Sequence, residues 1–200
     1  MERRGRGRPK RRSRTELVEL AMDRYWRDGV YVHSLNELCR RLSISKPSLY
    51  REFGGEEGLI EAVLDHYREL VVLPVLRFLE LEWPFAETME ALIIGMTTPD
   101  GVPPGCLFTE MRMLRKRLSP QCVAKLAAIE HERIEAFERW YLRALERGEA
   151  KASLSAAVAS HYRDAQFTLI LLQMGAGLSP DQIRTQGRLA LGVLTSSTLT

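Results

Sequence analysis

The 200-residue chain reads as an all-α protein, a small three-helix head followed by a larger helical domain, with about nine helices in all. Three observations predict this. Apolar residues recur at helical spacing in nearly every segment, Ser, Pro and Gly fall where helices start and stop, and no alternating strand pattern of comparable strength appears.

Residues 1–12, MERRGRGRPKRR, hold seven cations, two glycines and a proline, with no aliphatic residue after Met1. Such a stretch cannot pack a core and is expected to be disordered alone. It is either a solvated tail or an arm in which Arg8, Lys10, Arg11 and Arg12 follow phosphates or enter a minor groove. Its position beside the motif that follows favours the arm.

From Ser13 the pattern turns helical. Ser13 is placed to cap, Leu17, Leu20, Ala21, Tyr25 and Trp26 line one side, and Asp28-Gly29 forms a stop. After Val30 to Val32, Ser34 caps a short helix in which Leu35, Leu38, Cys39 and Leu42 share one face. A break at Ser43-Ile44 leads to Ser45, which can cap a second short helix with Pro47 in its first turn. Leu49 and Phe53, spaced i and i+4, turn inward, leaving Lys46, Ser48, Tyr50 and Arg51 outward. Two short helices joined by a tight turn make a helix-turn-helix, and cations and hydroxyls on that face are what a recognition helix presents to a major groove. Residues 13–55 are therefore read as a DNA-binding domain, with Ser45, Lys46, Pro47, Ser48, Tyr50 and Arg51 as contacts.

Gly-Arg-Pro at residues 7–9, Trp-Arg-Asp-Gly from Trp26, Ser-Leu-Asn-Glu-Leu from Ser34, Ser-Lys-Pro-Ser-Leu-Tyr-Arg-Glu-Phe from Ser45 and Glu-Gly-Leu-Ile from Glu57 together resemble the DNA-binding domain of TetR-family transcriptional regulators. The resemblance covers roughly residues 8–68. It implies that Ser34 touches a phosphate, that a homodimer binds a palindromic double-stranded operator, and that a small-molecule effector releases it. By family habit the regulator is a repressor. Two positions depart from the family pattern. Ser43 stands where a glycine is usual in the turn, and Glu56 stands where a lysine commonly meets a phosphate, a contact that a carboxylate cannot make. The arginine-rich arm is expected to compensate.

Residues 56–200 are read as a ligand-binding and dimerisation domain. Glu56 and Glu57 suit the positive end of a helix that runs through Val71 until Pro74 kinks or ends it. A helix with Met89, Leu92, Ile93 and Met96 follows Trp83-Pro84, then the loop TTPDGVPPG. Cys106 to Leu114 form the next helix, which closes on Arg115-Lys116-Arg117, and Ser119-Pro120 opens a long amphipathic helix ending at Gly148. The last two helices, roughly 153–176 and 180–195, carry small residues: Ala156, Ala157, Ala159 and Ala165 on one, Gly187, Ala190 and Gly192 on the other. The resemblance implies a four-helix dimer interface there; the alternative is a monomer whose own core these faces complete.

The middle helices are expected to enclose a pocket. Its candidate lining is Trp83, Met89, Met96, Cys106, Phe108, Met111, His131, Phe137, Trp140, Tyr141 and Phe167, side chains that suit a flat or apolar effector and equally suit a core. Arg163 and Gln166 are the accompanying polar candidates. Cys106 follows Pro103-Pro104-Gly105 at a helix start, where the dipole lowers a thiol pKa. It is either a small core residue or an electrophile- or oxidant-sensing thiol, as the resemblance to some family members suggests.

Composition bounds the remaining possibilities. Residues 1–53 carry fourteen Lys/Arg against seven Asp/Glu, a net of +7, while residues 54–200 carry fifteen against nineteen, a net of −4. A polyanion would thus meet the N-terminal quarter. The three cysteines and four histidines lack disulfide or metal-ligand spacing, and no GxSxG, HExxH or phosphate-cradling glycine loop occurs, so neither an enzyme nor a cofactor is expected. No signal peptide or membrane-spanning run is recognised, and a cytoplasmic protein is expected. An effector-independent DNA-binding protein remains an alternative.

Overall fold

The computed structural model describes residues 12–98, 101 and 103–196. The arm candidates Arg8, Lys10 and Arg11 lie outside the described residues. α1 (Arg14–Asp28) opens on a capping box, in which the Ser13 hydroxyl accepts the Glu16 N–H and the Glu16 carboxylate accepts the Ser13 N–H. It buries Leu17, Val18, Ala21, Tyr25 and Trp26, and stops at Gly29, whose φ of +92° is left-handed. α2 (Leu35–Leu42) and α3 (Lys46–Phe53) start on Ser34 and Ser45, each hydroxyl accepting a backbone N–H three residues on. Ser43 takes the left-handed turn conformation itself, at φ 53° and ψ 42°. The turn thus keeps its usual shape at a cost of about 1–2 kcal/mol for the side chain.

α4 (Glu56–Tyr67) passes into a π-helical turn (Arg68–Val72) and then α5 (Leu73–Leu79). Pro74 neither ends the rod nor leaves it regular. It has no N–H for the carbonyl four residues back, and the backbone widens just before it, Leu73 N–H donating to the Arg68 carbonyl five residues back. α6 (Phe85–Thr97), α7 (Leu107–Met113), a 3-10 turn at Arg115–Arg117, α8 (Pro120–Glu146), α9 (Ala156–Gly175) and α10 (Pro180–Leu191) complete the fold. Counting α4 to α5 as one rod, the described residues form nine helices, and their strand-like pairing is a single bridge, Ala150 to Thr195. Among the described residues no helix is long and apolar enough to cross a membrane.

Two apolar cores position everything else. The first joins α1, α2 and α3 to α4, α7 and the first half of α8 through Leu49, Leu59, Val63, Phe108, Met111 and Leu126. The second packs α5, α6, the second half of α8, α9 and α10 around Phe85, Phe137, Trp140 and Tyr141. The apolar interior of the head therefore runs on past residue 55 into the larger domain.

Candidate nucleic-acid interface

In α3 the inward residues are Leu49 and Phe53, while Lys46, Pro47, Tyr50 and Arg51 are exposed and Ser48 is half-buried. Tyr50 is 50% exposed, a large ring on an outer face. The Ser45 and Ser48 hydroxyls lie 2.9 Å apart, and Ser48 also accepts from Arg51 at 3.2 Å. Ser45 and Ser48 thus brace the start of the helix as well as facing outward. The exposed Ser34 hydroxyl is likewise occupied by the Glu37 N–H, at 3.3 Å.

Counter-charges decide which head cations stay available. Hydrogen bonds from Arg40, and also from Arg41, hold the Glu37 carboxyl down to about 2. Arg41 also reaches Asp28, which pairs with His33 at 3.0 Å. Arg27 pairs with Asp23. Arg12 donates to the Leu42 carbonyl, and Arg14 lies over the Phe53 ring while donating to the Glu52 carbonyl, so both root the base of the arm on the helix-turn-helix. Lys46 has no carboxylate partner among the described residues, and Arg51 has only an exposed contact to Glu52 at 3.6 Å. Among the described residues Arg24 of α1 also has no ion pair, but it is half-buried, whereas Lys46 and Arg51 are exposed on the outer face of α3.

The junction behind α3 is tight. Tyr50 runs alongside Gly55, and in the first turn of α4 a Cβ at Gly58 would lie 1.7 Å from the Phe53 carbonyl oxygen. Beside it, Glu57 ties three elements together. Its carboxylate accepts from the Tyr31 hydroxyl in the α1–α2 loop and, at 2.9 Å, from the Ser119 N–H that starts α8. Burial works to raise this carboxyl, but Tyr31, Ser119 and Cys122 outweigh it and hold Glu57 below the usual carboxylate range. The neighbouring Glu56 is pushed up, first by burial and then by Glu57, against the pull of the Tyr25 hydroxyl.

No protein-family model matches the chain. The HTH-type transcriptional repressor ComR of Escherichia coli (strain K12) is 42% identical over 62 residues, 31% of this chain and 30% of that protein. The match therefore spans under a third of either. A TetR-family regulator from Agrobacterium tumefaciens superposes with a TM-score of 0.80 over 91% of this chain and 97% of its own, at 16% identity. A cysteine-substituted mutant of the TetR-family regulator CifR, complexed with a 26-bp double-strand operator, gives 0.77 over 94% and 100%, at 23% identity. The chain has the TetR fold. The reduced form of E. coli NemR shares it as well, at a TM-score of 0.77 over 93% and 98% and 16% identity.

Within this TetR fold the eleven ligand candidates do not gather around one cavity. Met89, Phe137, Trp140 and Tyr141 are core, with Phe85 stacked 4.3 Å from Trp140 and Phe137 5.0 Å from it. Phe108 and Met111 belong to the other core, Met96 is half-buried, and the exposed Trp83 leans edge-on against Phe78. These large rings satisfy one another, which a single sequence does not distinguish from lining a void. A cleft of about 820 Å³ instead opens between α8 and α9, bordered by Ile134, Asp164, Leu169, Leu172 and, of the eleven, His131.

Sequence reasoning missed the polar floor of that cleft. Arg112 donates to Glu130 at 2.6 Å and to Asp164 at 3.1 Å, and Arg133 reaches the other Asp164 oxygen at 2.8 Å. Arg163, only 4% exposed, lies between the Phe137 and Phe167 rings, 4.6 and 4.0 Å from their centres. Burial, helped by Arg133, pushes its guanidinium down to about 9, and its Nε meets no hydrogen-bond partner among the described residues. Half-buried Cys106 lies 3.1 Å from the Tyr67 hydroxyl, and Tyr67 packs edge-on against Trp26 of α1. Arg163 and Phe167, at i and i+4, were within reach of sequence reasoning, whereas the separations of 18 to 52 residues in Arg112–Glu130, Cys106–Tyr67 and Arg112–Asp164 leave no periodic trace.

Proposed function

We propose that the chain is a TetR-family transcriptional regulator that works in the cytoplasm as a homodimeric repressor. It holds a palindromic double-stranded operator and leaves it when a small apolar or aromatic effector binds. The carrying observation is α3, a capped helix anchored by Leu49 and Phe53 whose outer face offers Lys46, Tyr50 and Arg51 to solvent. The likeness to an operator-bound CifR mutant and to the repressor ComR supports this reading.

Dimerisation is supported by apolar side chains that α9 and α10 leave exposed outside the α8–α9 cleft: Val158 on one, Leu189 on the other, with Val193 just beyond. The small residues divide between two roles. Ala157 and Ala165 stay on the outer face, whereas Ala156 and Ala159 are buried and Gly187 is pressed against Ile93 within the chain. For the effector, the cleft between α8 and α9 joins apolar walls to the Arg112–Asp164 network. A ligand that separates these helices would move α8, and through Ser119 and Glu57 the head, so DNA affinity would fall by the ligand's preference for the moved state.

DNA selected by the purified protein from a randomised duplex pool supplies the test. In fluorescence anisotropy, Lys46→Ala and Tyr50→Ala each weaken binding by about 1–3 kcal/mol without altering thermal unfolding. Unchanged affinity in both variants would refute the reading.

The Cys106–Tyr67 contact favours a second reading, in which oxidation of the thiol is the releasing signal, because Tyr67 relays directly to Trp26 in the head. Oxidant-induced release that survives Cys106→Ser would eliminate it.

A further inference from the structure

We propose that the basic turn Arg115-Lys116-Arg117 is a second phosphate-binding patch, by which the larger domain itself grips the operator duplex beside the head. The proposal rests on the DNA-binding reading above.

Arg117 lies over the Tyr31 ring, 4.9 Å from its centre, and the Tyr31 hydroxyl is 3.4 Å from the Arg117 carbonyl. Tyr31 precedes Ser34, the cap of α2, by three residues, a backbone span of at most about 10 Å. The turn is therefore fastened to the loop that feeds the start of α2, and α2 begins where its free N–H groups face phosphate in a helix-turn-helix docked on DNA. A screening length of about 8 Å at physiological salt, added to the reach of an arginine, brings the three cations within range of the same backbone.

All three side chains are exposed. Arg115 stands 3.9 Å from Glu130, which Arg112 already occupies at 2.6 Å, and neither Lys116 nor Arg117 has a carboxylate partner among the described residues. The nearby Glu57 carboxylate is taken up by Tyr31, Ser119 and Cys122. Residues 54–200 carry a net charge of −4, so three consecutive cations placed against the head are a local reversal. Because Ser119 and Tyr31 share Glu57, a shift of α8 would carry this patch off the duplex together with its strap.

The test compares Arg115→Gln/Lys116→Gln/Arg117→Gln with Arg77→Gln/Arg139→Gln/Lys151→Gln, which makes the same charge change at exposed positions on α5, on α8 and in the α8–α9 loop. Both full-length proteins, and the wild type, are titrated with a short random-sequence duplex over a range of salt concentrations. The turn variant is expected to lower the slope of log K against log salt by about 2–3, each phosphate contact accounting for roughly 0.9. The distant variant keeps the wild-type slope. Equal slopes in all three proteins, or equal losses in the two variants, overturn the proposal while leaving Lys46 and Tyr50 in place. A wild type without DNA affinity instead overturns the reading beneath it. If the triple variant unfolds early, Lys116→Gln alone, which removes no ring contact, is expected to lower the slope by about 1, and an unchanged slope refutes the patch.

Discussion

Replacing Gly58 by alanine offers an unusually sharp prediction because two effects of opposite sign compete. In an exposed helix interior, Gly→Ala stabilises by about 0.5–1 kcal/mol through lost backbone freedom in the unfolded chain. At Gly58 the new Cβ would fall 1.7 Å from the Phe53 carbonyl oxygen, some 1.3 Å inside the 3.0 Å limit that real contacts respect. The obstructing atom is backbone, and α3 is closed just behind it by the Gly54 N–H bond to the Tyr50 carbonyl at 2.8 Å, so no rotamer change relieves the overlap. Overpacking of this kind costs typically about 1–3 kcal/mol, which outweighs the helix gain and displaces α3 relative to α4. Gly95 in α6, with nothing within 4 Å of its Cβ position, is the matched control. Urea unfolding followed by circular dichroism should show Gly58→Ala less stable than the wild type by about 1–2 kcal/mol and Gly95→Ala more stable by about 0.5–1 kcal/mol. If Gly58→Ala gains stability as Gly95→Ala does, the packed junction between head and α4 described above is wrong.

Further predictions follow from buried charge and exposed apolar surface. Arg163→Met exchanges a buried guanidinium held between the Phe137 and Phe167 ring faces for an apolar side chain and should stabilise the protein by about 1–3 kcal/mol in the same assay; a loss of that size would mean that the ring contacts outweigh the cost of burying the charge. Glu56 has a folded pKa raised above its unfolded value, so its contribution is present below the unfolded value and lost as pH rises through the folded one. Glu56→Gln should therefore raise Tm at neutral pH, with the advantage disappearing near pH 4, about the ordinary carboxylate value. Glu57 has the opposite sign: Glu57→Gln should lower Tm at neutral pH, the deficit closing as pH falls through its lowered value. Leu189 is 74% exposed in the single chain, and Leu189→Glu should shift the protein from dimer to monomer in analytical ultracentrifugation; an unchanged sedimentation coefficient would move the interface elsewhere.

The head was legible because its signals are local. Ser13, Ser34 and Ser45 each cap within three residues, and the inward pairs fall at i, i+4, so caps and periodicity locate α1 to α3 without tertiary information. Ser43 could be flagged as a misfit in the turn, and the backbone absorbs it in a left-handed conformation. The helix starts farther along were legible for the same reason, Pro120 and Pro180 each following a serine cap. The π turn before Pro74 was not, because a proline signals that the regular bond pattern fails and not how the chain repairs it. The site in the larger domain was not legible either. Phe137 and Trp140 could have lined a cavity or filled one, and only their neighbours on α6 and α9 decide. The Tyr31–Glu57–Ser119 strap spans sixty-two residues from Glu57 to Ser119, and nothing in the spacing of those three residues announces it.

Lysine acetylation read by mass spectrometry, with and without bound duplex DNA, puts the central claim to the most direct test. Lys46 projects from the outer face of α3, whereas Lys151 is exposed beyond the end of α8, remote from the head. Operator binding should protect Lys46 severalfold and leave Lys151 as reactive as before. A complex in which Lys46 is modified as fast as in the free protein would contradict a recognition helix at Lys46 to Phe53, whatever the rest of the fold resembles.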